Sequence, residues 1–269
     1  MKVPKKVTTL VLPVGGMGKR MLPLTLRTPK ALVRLCGKPL LDYILEEAAL
    51  SGIRDVVLVI NPQHAKHFAR YARSRRKAFP RLRFHTRFQS EPLGNGHAIL
   101  QAADILLGKP FAVRFCDDLV PDTAPVLHSL IRLYEAYRAP VLLLGRVRRS
   151  DIQRYGIVGV RRERKKSGLP EGNVYRLTEI IEKPHPKRAP SNLFIIGGYI
   201  LTPEILRNLK KISDSLPHPG NDALPLAVAL QVEFIVGGRV YGWEFAGKRL
   251  DCGTIEGLRS AEKALCRTR

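Results

Sequence analysis

Cysteine is scarce in this sequence, and its four copies are widely spaced. They stand at positions 36, 116, 252 and 266 of 269 residues, without the Cys-x-x-Cys pair of a zinc site or the density of a disulfide framework. The pattern therefore predicts reduced thiols and a cytoplasmic location. Long apolar runs are also missing, because none approaches the roughly 18 residues that cross a bilayer. We therefore expect no membrane partner.

Acidic side chains are scarce as well. The sequence has 23 Asp and Glu against 46 Lys and Arg, which gives a formal net charge of +23. A positive field attracts anionic substrates and also gives non-specific affinity for nucleic acid. A substrate site needs only a handful of cations, so most of the excess has no assigned role. Because charge runs are usually solvated faces, we interpret the basic stretch 70–83 in that way and expect nucleic-acid binding to be weak and non-specific at most.

Apolar runs of strand length alternate with helical spacing through the first half of the chain. This alternation predicts a doubly wound, mostly parallel α/β sheet of Rossmann-like type. Beyond residue 140 strands predominate and extend that sheet as a β-rich half. No linker or repeat is evident, so we predict a single domain over 1–269 with approximate lobes 1–139 and 140–269. The predicted strands are 7–14, 55–61, 83–88, 111–115, 141–144, 156–160, 174–181 and 193–201, and the predicted helices are 40–50, 68–78, 97–107, 203–211, 221–232 and 255–265.

A glycine-rich turn follows the first predicted strand. Glycines at positions 15, 16 and 18 are followed by the cations Lys19, Arg20 and Lys30. Glycine allows backbone N–H groups to approach an anion closely, and lysine and arginine supply the charge that a polyphosphate needs. The turn therefore predicts a phosphate-binding loop. An ordinary strand-ending turn with solvated cations is the alternative.

Two common glycine motifs are missing from this loop. A Walker A loop would have glycine at position 13 and Ser or Thr at position 20, where this chain has Pro13 and Arg20. A dinucleotide-binding fingerprint would have its third glycine at position 21, where the chain has Met21. The loop is therefore a phosphate site of another kind.

Residues 15–23 with Pro29-Lys30 resemble the signature of the sugar-1-phosphate nucleotidyltransferases, Gly-x-Gly-Thr/Ser-Arg-x-x-Pro followed by Pro-Lys. Matching motifs recur in order through nearly the whole chain. The resemblance implies that Arg20 holds the leaving pyrophosphate and Lys30 the α-phosphate region. Lys19 departs from the pattern, since the family usually has a small hydroxyl residue there. Nucleotide contacts are implied for Val14, Gly15, Gly16, Gly18 and Lys19.

Residues 89–98 are similar to the family's nucleobase motif, Gln-x-x-x-Leu-Gly-x-Gly-His-Ala. Two glycines at the start of a predicted helix allow close approach of a flat ligand. A glutamine side chain offers a donor and an acceptor to a base edge. The resemblance thus implies nucleotide binding by Gln89, Gly94 and Gly96. Without it, the stretch would be an ordinary helix start.

Three aspartates at two places in the sequence are candidates for a metal site. Asp117 and Asp118 follow a predicted strand, and Asp251 precedes the last predicted helix. Mg²⁺ prefers one or two carboxylates together with phosphates and water, and open sheets bind ligands at the carboxyl ends of their strands. The resemblance places the metal on Asp117 and Asp251, and Asp118 is expected to support the loop and to belong to the sugar-phosphate-binding residues. A register shifted by one residue and simple turn capping are the alternatives.

The second half carries the implied sugar-phosphate site. Glu182-Lys183-Pro184 and the later Ser-Asn-Leu and Gly-x-Tyr motifs are similar to those of the family. The resemblance assigns Glu182 to the sugar hydroxyls, Lys183 to the sugar phosphate and to catalysis, and Gly156 and Gly197 to backbone contacts. The segment 222–227 departs from the family's Glu-x-Gln-Leu-Thr-Asp by having leucine at 224 and alanine at 227.

Together these matches imply an enzyme that joins a nucleoside triphosphate to a sugar 1-phosphate with Mg²⁺ and releases pyrophosphate. UTP and glucose 1-phosphate are the implied substrates, with lobe 1–139 binding the nucleotide and lobe 140–269 the sugar phosphate. Transfer from dTTP is the alternative within the class. A non-catalytic nucleotide-sugar or nucleic-acid-binding module on the same fold is the alternative outside it. A homodimer or homotetramer is compatible with either.

Overall fold

The computed structural model describes residues 6–106, 108–121, 124–217 and 222–266. The strands in these ranges are β1 (Thr9–Pro13), β2 (Arg34–Leu35), β3 (Lys38–Pro39), β4 (Asp55–Ile60), β5 (Arg83–Phe88), β6 (Phe111–Arg114), β7 (Asp118–Leu119), β8 (Val141–Arg146), β9 (Gly156–Arg162), β10 (Asn173–Glu182), β11 (Leu193–Leu201), β12 (Tyr241–Glu244) and β13 (Leu250–Asp251). The α-helices are α1 (Leu40–Leu50), α2 (Ala65–Arg75), α3 (Asn95–Leu100), α4 (Ala103–Leu106), α5 (Val126–Tyr137), α6 (Pro203–Ser215), α7 (Leu226–Ile235) and α8 (Ile255–Leu265).

Nine strands form one sheet in the order β5-β4-β1-β6-β11-β8-β12-β10-β9. Strands β10 and β11 run antiparallel to the other seven strands, which all run in one direction. The strands of the first half, β5, β4, β1 and β6, form one side of this sheet, and those of the second half form the other, so the two halves meet where β11 pairs with β6. The seven co-directional strands end at the same edge, which is where open α/β sheets bind ligands.

Helices cover both faces of the sheet. Leu10 and Leu12 of β1 pack on one face with α1, α2, α5 and α8, whereas Val11 packs on the other with α3, α4, α6 and α7. Because successive side chains of a strand point to opposite faces, the continuous apolar run of β1 serves both layers. This burial explains why the central strands are apolar throughout.

The predicted α/β fold class is confirmed, with a mixed sheet in which most strands run in one direction, but several elements differ from the sequence expectation. Helix α5 and strand β12 were not predicted. The helix predicted over 97–107 is two helices, α3 and α4, with Leu107 outside the described residues, and the helix predicted from 221 begins at Leu226. Position 221 also lies outside the described ranges.

The tip of the β9–β10 hairpin is rich in basic residues, and it packs against α5. Lys166 Nζ donates to the carbonyl of Ala136 at 2.5 Å and lies 4.9 Å from the ring centroid of Tyr137. Arg132 Nη2 donates to the carbonyl of Gly168 at 2.5 Å. The tip is exposed, yet its backbone and one cation are held against α5.

Two cysteines predicted to be reduced are paired. Cys36, in the β2–β3 turn, forms a disulfide with Cys266 at the end of α8, across 230 residues of sequence. Cys116 and Cys252 are free and buried. The spacing did not reveal the bond, because its two ends meet only through the packing of α8 beside β2. Among the described residues, no helix combines the length and apolarity that a membrane span requires.

Candidate active site

The glycine loop leaves β1 at the carboxyl edge of the sheet. Val14 N–H donates to the carbonyl of Val59 at 2.9 Å, which fixes the start of the loop on β4. Gly18 has φ +63°, a left-handed conformation that favours glycine, and its carbonyl accepts from Thr25 Oγ1 at 2.9 Å. Lys19 and Arg20 follow in a short 3₁₀ turn and are exposed. The loop therefore presents two cations at this edge.

The predicted metal carboxylates converge beside Gly253. A Cβ atom built on Gly253 would lie 3.0 Å from Asp117 Oδ2, 3.0 Å from Asp251 Oδ1 and 3.3 Å from Arg20 Nη2. Lys30 Nζ lies 2.5 Å from Asp117 Oδ2. Four residues from three distant parts of the sequence thus face one small space, which the missing side chain of Gly253 keeps open.

The donor set at this space suits Mg²⁺. The two carboxylate oxygens are hard ligands, and Mg²⁺ is held in proteins by one or two carboxylates together with substrate phosphates and water. Within the ranges that the structure describes, no three His, Cys, Asp or Glu side chains form a metal-binding group. A metal here would therefore need the phosphates of a substrate to complete its ligands.

Asp118 points away from this space. It is buried, and its Oδ2 accepts from the Gly197 N–H at 2.9 Å while its Oδ1 accepts from Arg249 Nε at 2.6 Å. Strands β7 and β13 pair Asp118 directly with Asp251. Because Asp118 is buried and directed away from the space beside Gly253, the geometry favours Asp117 as the metal-facing member of the pair.

The residues predicted to bind the sugar phosphate surround Tyr155 and Gly156. Lys183 has φ +47°, which is uncommon for a residue other than glycine, and its N–H donates to the Tyr155 carbonyl at 3.1 Å. A Cβ atom on Gly156 would lie 2.8 Å from Glu182 Oε2. Glu182 and Lys183 are both exposed. The turn after β10 thus presents an acid and a cation side by side.

Gly197 is packed against protein rather than open space. A Cβ atom there would lie 2.5 Å from Phe115 Cδ2, and the carbonyl of Gly197 accepts from Phe115 N at 2.8 Å and from Arg114 Nη1 at 2.9 Å. Only glycine fits this close approach of β11 to the end of β6. The residue therefore brings the predicted sugar-phosphate half next to Asp118.

The predicted nucleobase loop is closed by another segment of the chain. Gln89 Nε2 donates to the Gly94 carbonyl at 3.0 Å and lies 3.0 Å from His97 Nδ1, and burial lowers the pKa of His97. A Cβ atom on Gly96 would lie 2.6 Å from the Leu224 carbonyl. The glycines at 94 and 96 thus admit the backbone at Leu224, which lies within the segment that departs from the family pattern.

Two cations of the site were not predicted from the sequence. Arg114 is fully buried within β6, with Nη2 3.2 Å from Glu47 Oε2 and 3.1 Å from the Asp118 carbonyl. Arg249 joins Asp118 to Asp251. The sequence contained one weak signal for each residue. Arg114 is a charge inside an apolar run, and Arg249 stands two residues before Asp251.

The pKa of the Asp251 carboxyl and the pKa values of the Cys116 and Cys252 thiols are shifted in opposite directions. Burial raises the pKa of the Asp251 carboxyl, but the Arg249 charge and the Gly253 N–H outweigh it, so the pKa lies below its ordinary value. Burial and the nearby aspartates raise the pKa of the Cys252 thiol to about 12, and burial raises the pKa of Cys116 further. At neutral pH the carboxylate is charged and neither cysteine is a thiolate nucleophile.

Comparison with known proteins points to one family. A family model described as nucleotidyl transferase matches residues 9–268. UTP–glucose-1-phosphate uridylyltransferase YngB of Bacillus subtilis (strain 168) is 34% identical over 226 residues, covering 77% of this chain and 74% of the relative. A UTP–glucose-1-phosphate uridylyltransferase of Staphylococcus epidermidis is 31% identical over 267 residues, covering 93% of this chain and 88% of the relative. A solved UDP-glucose pyrophosphorylase complexed with UDP-glucose matches with a TM-score of 0.82 and 30% identity, covering 98% of this chain and 100% of that chain.

Proposed function

Because this chain belongs to the nucleotidyl transferase family, we propose that it transfers the uridylyl group of UTP to glucose 1-phosphate, giving UDP-glucose and pyrophosphate. The observation that carries the proposal is the convergence of Arg20, Asp117 and Asp251 on the space beside Gly253. A scaffold without activity would have no need to bring two carboxylates and two cations to one strand edge.

The reaction needs no protein nucleophile. A phosphate oxygen of the sugar 1-phosphate attacks the α-phosphorus of the triphosphate, and the bond from that phosphorus to the bridging oxygen of the pyrophosphate breaks. The enzyme contributes by holding the two anions in line and by neutralising charge that develops on the leaving group. The high pKa of Cys116 and Cys252 agrees with direct transfer.

We call the space lined by Arg20, Lys30, Asp117 and Asp251 the crevice. Each cation in or near it has its own role in the proposed reaction. We assign Arg20 to the leaving pyrophosphate, because it is exposed at the glycine loop and directed at the space beside Gly253. Lys30 is assigned to the α-phosphate. Lys183 brings in the sugar phosphate, and Glu182 beside it holds sugar hydroxyls. The triphosphate lies along the loop 14–19, with its base at Gln89.

Enzymes of this family generally use a divalent metal ion. We propose Mg²⁺, held by Asp117 and Asp251, since two carboxylates and a polyphosphate are the ligands it prefers. When bound, such an ion neutralises phosphate charge and draws the two substrates into line. Lys30 Nζ lies 2.5 Å from Asp117 Oδ2, and its remaining N–H donors would be free to hold a phosphate beside the ion.

The proposal extends to organisation and location. We infer one domain over 1–269, with lobe 1–139 holding the nucleotide and lobe 140–269 the sugar phosphate, and a cytoplasmic location for the enzyme. A dimer or tetramer is the proposed assembly. Light scattering of the purified protein distinguishes these two from a monomer.

Pyrophosphate release tests the function directly. We expect release with UTP and glucose 1-phosphate when Mg²⁺ is present, and none when the metal is chelated. Replacing UTP by dTTP separates uridylyl from thymidylyl transfer, because the two bases share a hydrogen-bonding edge and differ by one methyl group. Absence of release with every nucleotide and metal, from a protein that melts cooperatively, would refute the enzyme.

A further inference from the structure

Arg249 is a largely buried cation to which the reaction scheme assigns no role. Its side chain is 17% exposed, and its guanidinium lies over the rings of Tyr155 and Phe194, 5.4 Å from each centroid. A guanidinium removed from water in this way needs fixed partners, and its planar fork holds them in a defined geometry.

The three nitrogens of Arg249 contact three different groups. Nε donates to Asp118 Oδ1 at 2.6 Å, and Nη2 lies 2.5 Å from the same oxygen and 3.1 Å from Asp251 Oδ2. Nη1 donates to Tyr155 Oη at 3.4 Å. The fork therefore links the two carboxylates that face each other across the β7–β13 pair.

These contacts orient the carboxylate oxygens toward or away from the proposed metal site. Arg249 holds Oδ2 of Asp251, and Oδ1, which accepts from the Gly253 N–H at 2.9 Å, faces Asp117 beside Gly253. Arg249 also holds Oδ1 of Asp118, while Oδ2 of the same residue holds the N–H of Gly197. One side chain thereby contacts the proposed metal ligand directly and the N–H of Gly197 on β11 through Asp118.

We propose that Arg249 is a positioning residue: it orients Asp251 toward Asp117 and, through Asp118, holds Gly197 in register on the sugar-phosphate side. The inference rests on the proposed function of the same site. It links the two substrates, because a single displacement of this guanidinium would alter the metal-facing oxygen and the sugar-phosphate side together.

A simpler role for Arg249 would be to add positive charge to the cleft that it lines together with Asp251 and Arg148. Arg148 is 85% exposed and forms an ion pair with Asp151 at 2.9 Å. Removing Arg148 changes the net charge by the same amount and leaves Asp118 and Asp251 untouched. The Arg148→Met variant is therefore the matched control for Arg249→Met.

Calorimetric binding of UDP-glucose, titrated with and without Mg²⁺, is the primary test, with steady-state rates beside it. Loss of a residue that orients a metal ligand typically costs about 10- to 100-fold in metal affinity or activity. We therefore expect Arg249→Met to shift the Mg²⁺ dependence of UDP-glucose binding by that factor and to raise the KM for glucose 1-phosphate. Arg249→Lys restores charge without the fork and should recover only part of the loss. Arg148→Met should behave as the wild type.

The outcomes separate this inference from the proposed function. A wild-type protein that neither binds UDP-glucose nor releases pyrophosphate would refute the function itself. An active wild type whose Arg249→Met variant keeps the same Mg²⁺ dependence and KM, or whose Arg148→Met variant loses as much, would overturn the positioning role. If Arg249→Met does not fold, Asp118→Asn is the test variant, because it weakens the contact between Arg249 and Gly197 without leaving an empty space. An unchanged KM for glucose 1-phosphate in that variant would refute the positioning role.

Discussion

Two adjacent aspartates, Asp117 and Asp118, have opposite surroundings. Asp117 faces the crevice, where Arg20 and Lys30 come from the glycine loop and the turn that follows it. Asp118 faces the interior, where Arg249 and the Gly197 N–H occupy both of its oxygens. The chain thus places a carboxylate of the proposed metal site and a buried carboxylate bonded within the protein on successive residues.

The cations on the two sides differ in the same way. Lys19 and Arg20 are exposed, and neither forms an ion pair within the part of the chain that the structure describes. Arg114 is fully buried, with Glu47 beside it and two backbone carbonyls as further acceptors. Exposed cations remain available to a phosphate, whereas buried ones are committed to fixing shape. Substitutions on each side can test that division.

Loss of either crevice carboxylate should have the largest effect on catalysis. Asp117→Asn and Asp251→Asn each remove a proposed ligand of one ion, and that ion contributes several kcal/mol of charge stabilisation. We expect each to lower Mg²⁺-dependent turnover by roughly a thousandfold, with the melting temperature nearly unchanged. Pyrophosphate release and calorimetric melting are the measurements.

The double variant and Asp118→Asn sharpen this test. Because both crevice residues would act through the same ion, the double variant should be little worse than either single one. Losses that multiply cleanly would contradict a shared ion. Asp118→Asn should affect the sugar-phosphate KM more than the Mg²⁺ dependence. If it instead removed the metal dependence while Asp117→Asn did not, the two aspartates would have exchanged roles.

Breaking the buried pair should reduce stability more than breaking any exposed pair. Arg114→Met leaves Glu47 without its cation, and removing one partner of a buried pair typically costs about 3–5 kcal/mol of the free energy of unfolding. Replacing both, as Arg114→Met with Glu47→Leu, should restore only part of that loss, because the carbonyls of Gly197 and Asp118 and the N–H of Leu127 lose their partners. Urea denaturation measures each value.

Glu46, beside Glu47 on α1, supplies the control. It pairs with Lys38 at 2.6 Å near the surface, and such exposed pairs contribute at most about 1 kcal/mol. Glu46→Gln should therefore leave the urea midpoint almost unchanged. Equal losses for Glu46→Gln and Arg114→Met would show that burial does not distinguish the two groups of charges.

On the exposed side, Arg20→Ala should act on the rate rather than on stability. A group that neutralises the leaving pyrophosphate acts mainly in the transition state, so its loss should lower kcat by about a hundredfold. The KM for glucose 1-phosphate should change little. The control is Lys19→Ala, the preceding residue in the same turn, for which we expect a much smaller loss. Near-normal turnover of Arg20→Ala would mean that the loop cations are only solvated.

Local patterns were sufficient for the crevice side of the site. The glycine loop, the strand-end position of Asp117 and the turn after β10 all depend on spacing within a short stretch. The resemblance to one family then assigned their roles. Asp251 could be placed near Asp117 because both lie at strand ends of an open α/β fold.

The buried side could not be predicted from spacing. Arg249 reaches Asp118 across 131 residues of sequence, and Arg114 reaches Glu47 across 67, so neither contact leaves a local signal. The disulfide spans 230 residues. Helix α5 is different: apolar residues at 126, 127, 130, 133 and 134 follow a helical spacing, so the sequence contained a signal that was missed.

A third group of cations lies on neither side of the site, and its removal should have the smallest effect. Residues 56–90 contain nine Lys and Arg and no Asp or Glu. Three of the nine are paired, Arg75 with Asp42, Arg83 with Asp55 and Arg87 with Asp104. Along one face of α2 and just beyond it stand four exposed cations with no carboxylate within 4.0 Å among the described residues, namely Lys66, Arg70, Arg73 and Lys77.

These four cations give a measurable charge without a catalytic role. The variant with glutamine at all four should elute from heparin at lower salt, because removing one cation–phosphate interaction reduces the dependence of log affinity on log salt by roughly 0.7–0.9. Its kcat should match the wild type, since none of the four lies among the crevice residues. Arg207→Gln with Lys210→Gln on α6 is the control, as these cations are already paired with Glu204 and Asp214. Tight, sequence-dependent nucleic-acid binding that survives high salt and disappears in the four-residue variant would give the face of α2 a function of its own.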